Sequence, residues 1–338
     1  MPVGPRNALT DVAGLAVGCA HDPVVRTGVS VVLPDAPAVC AADVRGGGPG
    51  TRETDALRLE GLVERADAIV LSGGSVYGLA AADAVAARLG AAGRGFALTR
   101  AAGVPVSPIV PAAILYDLAN GGAKGWGETP PYAALGRAAL AAAGRDVPLG
   151  PAGAGFGARA GARPGGQGTA SWTEDGVTVA ALACVNSFGS AYVPGTDRFW
   201  AAPWEQAGEF GGRGAASATG IAGLPGDTKL GAGSAGSGGE TNTTIAVVAT
   251  DAALTKPQAK RLAVMAQDGL SRAIRPAHGP TDGDVVFALS TRRGSGQGSG
   301  QGSGQGPDTD TLALLRLGTI AGDVLARATA RGVWAAEA

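Results

Sequence analysis

The stretch from Gly231 to Asp251, GAGSAGSGGETNTTIAVVATD, makes opposite demands on adjoining pieces of backbone. Its first half is mostly glycine, serine and alanine, side chains too small to pack, and glycine takes φ of either sign. Its second half, Thr244-Ile245-Ala246-Val247-Val248-Ala249, has the composition of a β-strand. The two meet at the Asn242-Thr243 bond. Glycine-rich chain lets a following peptide bond take up strained geometry, and a hydroxyl at the start of a rigid strand is a fixed nucleophile. One reading is a Gly/Ser surface loop entering an ordinary strand. The other is a self-cleavage point, in which the Thr243 hydroxyl attacks the Asn242 carbonyl, the ester hydrolyses, and Thr243 becomes a new N-terminus. That residue then carries a hydroxyl beside its own amine, whose ordinary pKa is about 7.7–8.0, so nucleophile and general base share one residue.

Histidine is too scarce to offer the usual base. Only His21 and His278 are present, and neither has a spaced partner resembling a ligand set, so no metal site is indicated. His278 lies in a Pro/Gly turn (RPAHGPTDG) and His21 in a polar one (CAHDP); both read as structural or incidental. Cys19, Cys40 and Cys184 are widely spaced in apolar surroundings and read as buried thiols, with no disulfide framework. Aromatics at 4% and a net charge of −1 argue against a nucleic-acid surface and against capture by an anionic membrane. No apolar run is long enough to span a bilayer, and MPVGPRNALT lacks a signal-peptide layout, which predicts a soluble cytoplasmic protein. With 338 residues, 45% hydrophobic and 16% charged, the chain is sized for a single large sandwich or two fused halves.

Along the chain, residues 8–20, 24–33 and 38–43 read as strands. The loop VRGGGPGTRETD (44–55) follows and reads equally well as a solvated turn or as backbone lying close to a substrate or a neighbouring subunit. A short strand at 68–71, the turn Ser72-Gly73-Gly74-Ser75 and a helix over 76–89 come next. Strand, glycine turn and helix form the geometry that binds nucleotide phosphates, but GGSVYG fits neither G-x-G-x-x-G nor a P-loop. Packing glycines with Ser75 as helix cap explain the turn better. A nucleotide-dependent α/β enzyme stays open as a lesser reading. Residues 132–143 predict a helix of small side chains, 150–162 a glycine-rich turn, and 177–185 a strand ending in Asn186, which is either a turn former or a fixed amide donor. After the Asn242-Thr243 junction come a helix over 256–273, the turn GPTDGD, a strand over 285–290, a low-complexity loop over 292–307 and a last helix over 309–330. Asp282 and Asp284 are either a turn or a pair that polarises a nearby nucleophile and its ammonium.

Taken together, VRGGGPGTRETD, LSGGSVYGLAAADAVAARL, PIVPAAILYDL, VTVAALACVN, NTTIAVVATDAAL and AIRPAHGPTDGDVVFAL span nearly the whole chain in order. The set resembles the L-aminopeptidase/D-esterase family, which includes β-aminopeptidases and 6-aminohexanoate-oligomer (nylon) hydrolases. The resemblance implies one αββα sandwich (α+β) of the N-terminal-nucleophile type over 1–338. It implies self-cleavage into chains 1–242 and 243–338 that stay associated, no cofactor or metal, and a tetramer of cut units. Its substrates are small amides, short peptides or nylon oligomers. By position it assigns the nucleophile to Thr243, the scissile carbonyl to Asn242, orientation of the nucleophile to Asp282 and Asp284, and the oxyanion site to Asn186 and Tyr116. The sequence departs from the family at one place, where Pro164 stands in the position of a lysine. Arg163, one residue earlier, is the candidate substitute for that charge, although it cannot exchange a proton near neutrality. An uncleaved, catalytically impaired member acting as a binding protein is the alternative this departure leaves open.

Overall fold

The computed structural model describes residues 2–99, 101–217, 223–229, 242–293 and 309–338. The glycine-rich run over 231–241 and most of the 292–307 loop lie outside these residues. In chain order the strands are β1 (Leu15–Asp22), β2 (Thr27–Pro34), β3 (Ala38–Val44), β4 (Thr51–Arg52), β5 (Arg65–Ala66), β6 (Ile69–Ser72) and β7 (Ala112–Ile114). They continue with β8 (Arg159–Ala160), β9 (Arg163–Pro164), β10 (Gly166–Glu174), β11 (Val177–Asn186), β12 (Thr243–Thr250) and β13 (Val285–Ser290). The helices are α1 (Ala80–Ala91), α2 (Tyr132–Ala141), α3 (Lys256–Ala273) and α4 (Thr311–Glu337). No helix among the described residues is long and apolar enough to cross a membrane.

Two sheets stack face to face. One has the order β1-β2-β6-β7-β4 and the other β10-β11-β12-β13-β3-β5. The alternation of side chains along each strand decides which layer each residue serves. On β12, Ile245, Val247 and Ala249 join Leu15, Val32, Ile69 and Leu71 of the opposite sheet in the inter-sheet core. Their neighbours Ala246 and Val248 turn the other way and pack with Leu262, Leu270, Val324 and Leu325 of α3 and α4. On the far side, Val29, Val31 and Val70 meet Ala81, Val85, Tyr132 and Ala139 of α1 and α2. The result is the expected αββα layering. Each fully buried Val, Leu or Ile contributes about 1.5–3 kcal/mol of burial free energy, so both faces of β12 are strongly fixed.

Local signals account for most element boundaries. Helix α3 starts at a capping box, with Thr255 Oγ accepting from Gln258 N while Gln258 Oε1 accepts from Thr255 N. Helix α1 differs from expectation at its start. Ser75 does not cap it; Gly74 precedes a 3₁₀ turn over Ser75–Leu79 without any side-chain cap, and Ser75 itself has φ of 53°. The turn is shaped by packing, because a Cβ on Gly73 would meet Asp117 Oδ2 at 2.3 Å and one on Gly74 would meet the Tyr132 ring at 2.0 Å. Strand β10 was hidden in the sequence by Gly166 and Gly168. Helix α4 crosses it so closely that a Cβ on Gly168 would lie 2.0 Å from the Ala328 carbonyl oxygen.

Candidate active site at the Asn242–Thr243 junction

Register brings the candidate residues together. Asn186, the last residue of β11, pairs with Thr243, the first of β12. Strand β13 runs parallel to β12, so the turn that feeds it reaches the same end of the sheet. Asn242 bridges to Asp282 of that turn, and its N–H donates to the Thr281 carbonyl at 3.1 Å. All five groups are buried, with Asn242 at 0%, Asp282 at 1%, Asn186 and Asp284 at 2% and Thr243 at 3% exposure.

The Asn242 carbonyl oxygen receives two donors. Gly283 N–H donates to it at 2.7 Å, and the Thr243 hydroxyl donates at 2.5 Å. A hydroxyl and a main-chain N–H therefore converge on one peptide carbonyl, the arrangement that can stabilise a developing oxyanion. Gly283 has to be glycine here, since a Cβ would sit 2.8 Å from both Thr243 Oγ and the Gly48 carbonyl oxygen.

The two carboxylates accept from N–H groups of β12, of their own turn and of the segment after β11. Asp284 Oδ1 accepts from Thr244 N at 2.7 Å, while Oδ2 accepts from His278 N at 3.0 Å and shares a 2.9 Å hydrogen bond with His278 Nδ1. Asp282 Oδ2 accepts from Gly279 N at 2.7 Å and Oδ1 from Phe188 N at 3.3 Å. Burial pushes the Asp282 carboxyl above the ordinary range, and the charge of Asp284 adds to this; the N–H donors and Lys229 act the other way. Behind the turn stands the glycine loop that follows β3. Gly46 N donates to the Asp284 carbonyl and Gly48 N to the Asp282 carbonyl, at 3.3 and 2.8 Å. That loop is thus the backing of the acidic turn.

Three residues of the site were not singled out from sequence. Lys229, 7% exposed, donates from Nζ to the Asn186 carbonyl at 3.0 Å and to Asn186 Oδ1 at 3.3 Å. It is the only lysine between Gly211 and Asn242, which was the available signal. Gly283 offered none, because its contribution is a main-chain N–H. His278 was noticed and set aside as incidental, yet it holds Asp284 through both backbone and ring.

Asn186 is firmly oriented. Its Oδ1 also accepts from Arg159 N at 2.9 Å, and its Nδ2 donates to the Tyr116 carbonyl at 2.8 Å. Tyr116 thus enters the site through its main chain, and it lines a small recess with Asp117, Asn186 and Lys229. Arg163 is placed elsewhere. Its guanidinium lies 3.2 Å from Glu337 Oε1 and stacks 4.1 Å from the centre of the Tyr192 ring, so it does not supply the charge at the junction. Lys229 is the cation that contacts Asn186, the residue paired with Thr243. The Ser72–Gly78 turn makes a poor phosphate site, since Gly74 N is taken by the Asp117 carboxylate at 2.7 Å.

Comparison with known proteins follows the same lines. A family model described as peptidase family S58 matches residues 7–338. An uncharacterised aminopeptidase of Mycobacterium bovis is 45% identical over 344 residues, covering 98% of this chain and 94% of its own length. A 6-aminohexanoate-oligomer endohydrolase of a Kocuria species is 29% identical, covering 83% of this chain and 74% of its own. Among solved structures, a Burkholderia β-aminopeptidase matches with a TM-score of 0.69 at 24% identity, covering 98% of this chain and 87% of that one. The L-aminopeptidase D-Ala-esterase/amidase of Ochrobactrum anthropi, described as a variant of the Ntn hydrolase fold, matches at 0.67 and 22%, covering 98% and 86%.

Proposed function

The chain belongs to peptidase family S58 and is a hydrolase of amide bonds, and on that premise we propose that it cuts itself between Asn242 and Thr243 and then works with Thr243 as its N-terminal nucleophile. In the cut, Thr243 Oγ adds to the Asn242 carbonyl carbon, the C–N bond breaks to leave an ester and a free amine, and water hydrolyses the ester. In turnover the same oxygen attacks a substrate amide. The freed α-amine takes the hydroxyl proton and passes it to the leaving amine, and water resolves the acyl-enzyme.

What carries this reading is the pair of donors on one carbonyl, Thr243 Oγ at 2.5 Å and Gly283 N–H at 2.7 Å. The Asn242 carbonyl stands where a substrate carbonyl is to sit after the cut, so Gly283 N–H serves the oxyanion in both reactions, while Asn186 Nδ2 donates to the Tyr116 carbonyl at 2.8 Å. One such donor contributes about 2.7–4 kcal/mol to a transition state. Asp284 fixes the start of β12 through Thr244 N, and Lys229 holds Asn186. Lys229, donating to the Asn186 carbonyl at 3.0 Å, is the candidate for the charge that Pro164 lacks. The substrate class that fits is a small aminoacyl amide, a short peptide or a 6-aminohexanoate oligomer, and we place the enzyme in the cytoplasm as a tetramer of cut units on the family resemblance.

Intact-mass analysis and N-terminal sequencing test the cut. Wild type should resolve into 1–242 and 243–338, the smaller beginning TTIAVV, while Thr243→Ala stays whole and hydrolyses no amide. A wild type that remains whole on long incubation, or a Thr243→Ala chain that still cuts or turns over, overturns the proposal.

A further inference from the structure

The larger depression near Asn186, the residue paired with Thr243, is lined among the described residues by charge of one sign. A cavity of about 510 Å³ opens next to the Asn186 end of β11, and among the described residues its charged lining consists of Arg26, Arg159 and Lys229. It shares Asn120, Arg159 and Lys229 with the small recess that touches Asn186 and Tyr116, so the two form one continuous hollow. Lys124 stands behind Asn120, donating to its Oδ1 at 3.0 Å.

The acids nearby are already engaged. Asp117 lines the recess but is 2% exposed, its Oδ1 accepts from Gly74 N, and burial pushes its carboxyl above the usual range. Asp22 Oδ1 accepts from the N–H groups of Val24 and Val25. Glu337, adjacent to the lining residue Ala336, is held by Arg163 and by the Tyr192 hydroxyl at 2.7 Å. The guanidinium groups of Arg26 and Arg159 make no ion pair among the described residues, and Arg159 donates from Nη2 only to the Ala162 carbonyl, at 2.9 Å.

A hollow of this kind attracts a carboxylate, which arginine grips in a planar fork. We propose that Arg26 and Arg159 bind a carboxylate of the substrate, so that the enzyme selects amides carrying a free acid within reach of the scissile bond. This rests on the amidohydrolase reading for its consequence in turnover, but the binding itself is a property of the uncut chain.

The test separates the two. Binding of N-acetyl-6-aminohexanoate and of its methylamide to the uncut Thr243→Ala chain is measured by calorimetry, with and without the double change Arg26→Met/Arg159→Met. Turnover of the 6-aminohexanoate dimer and of its C-terminal methylamide by processed wild type is measured alongside. The acid should bind at least about fivefold more tightly than the amide, with the gap shrinking in high salt and falling to within about twofold in the double variant. Arg26→Glu/Arg159→Glu should reverse the preference, which loss of packing alone does not do. Equal binding of acid and amide, no binding of either, or a preference that survives both double variants overturns the carboxylate site. Failure of Thr243-dependent turnover with the binding preference intact overturns the amidohydrolase reading and leaves the site standing.

Discussion

Asp284→Asn is the sharpest probe of the junction, because shape is kept while one charge and one acceptor are lost. Three N–H groups face the carboxylate: Thr244 N at 2.7 Å, His278 N at 3.0 Å and His278 Nδ1 at 2.9 Å. An asparagine that keeps its oxygen on Thr244 N turns its NH₂ toward His278. The imidazole can change tautomer and accept, but its proton then moves to Nε2, which is buried and has no acceptor among the described residues. The His278 main-chain N–H has no such escape. A buried N–H left unpaired costs about 1–3 kcal/mol, and hydrogen bonds to a charged group exceed neutral ones by about 1 kcal/mol. Removing one of two neighbouring carboxylates relieves Asp282 and offsets part of this, leaving a loss of roughly 2–4 kcal/mol. With an unfolding entropy near 2.1 cal/mol/K per residue, that corresponds to a drop of about 3–6 °C in Tm for 338 residues. Stability is read in the Thr243→Ala background, where both chains stay whole. Self-cutting is read separately with Thr243 present, by the time course of intact mass. Because Thr244 N anchors the strand that carries Oγ, its loosening should slow the cut by about 10²-fold. A variant that cuts at the wild-type rate while melting at the lower temperature would refute the claim that Asp284 aims the nucleophile.

Two further outcomes follow from the site's charges. Lys229→Met should slow self-cutting by tenfold or more, matching loss of a charge-assisted hydrogen bond of about 1.5–3 kcal/mol, whereas Arg163→Met should leave the rate within about twofold; mass time courses that rank the two in the opposite order put the effective cation on Arg163. Asp282 has a raised pKa, so the folded chain binds its proton more readily than the unfolded chain does. Its contribution to stability is present below the unfolded value of about 3.9 and is lost as pH rises through the folded value. In the Thr243→Ala background, the Tm of the parent relative to its Asp282→Asn partner should therefore fall between pH 4 and pH 7, and a constant gap across that range contradicts the assignment.

Much of this was legible where a local signal and the tertiary role agree. Helix α3 and strand β13 match the predicted ranges because a capping box marks one and a β-branched run the other. Glycine was misleading where it serves packing. Gly166 and Gly168 weakened the pattern of β10, and Gly332 stood against continuing α4, which nevertheless runs to Glu337. These glycines face one another, with a Cβ on Gly332 meeting Gly168 N at 2.8 Å, so the signal lay in the pairing of distant segments. Side chains with a conspicuous neighbour, such as Asp282 and Asp284, stand out in the sequence, and the structure places their turn at the Asn242–Thr243 end of β12. Gly283, acting through its amide, carries no local signature, and Lys229 carries only the weak one of being the lone lysine between Gly211 and Asn242.

The register of β12 ties core stability to chemistry. Alternation puts Thr243 on the same face as Ile245, Val247 and Ala249, the face turned to the opposite sheet, and Thr244 on the face under α3 and α4. A slip of one residue exchanges the two faces, carrying the hydroxyl of residue 243 toward the helices and pushing Ile245 and Val247 out of the inter-sheet core. Burial of those two side chains alone opposes the slip by several kcal/mol. The antiparallel β11 and the parallel β13 fix the same register from both sides, so Asn186 and the Asp282–Asp284 turn meet Thr243 only in the register the core enforces. Apolar side chains well away from the Asn242–Thr243 bond thus decide which hydroxyl faces the Asn242 carbonyl.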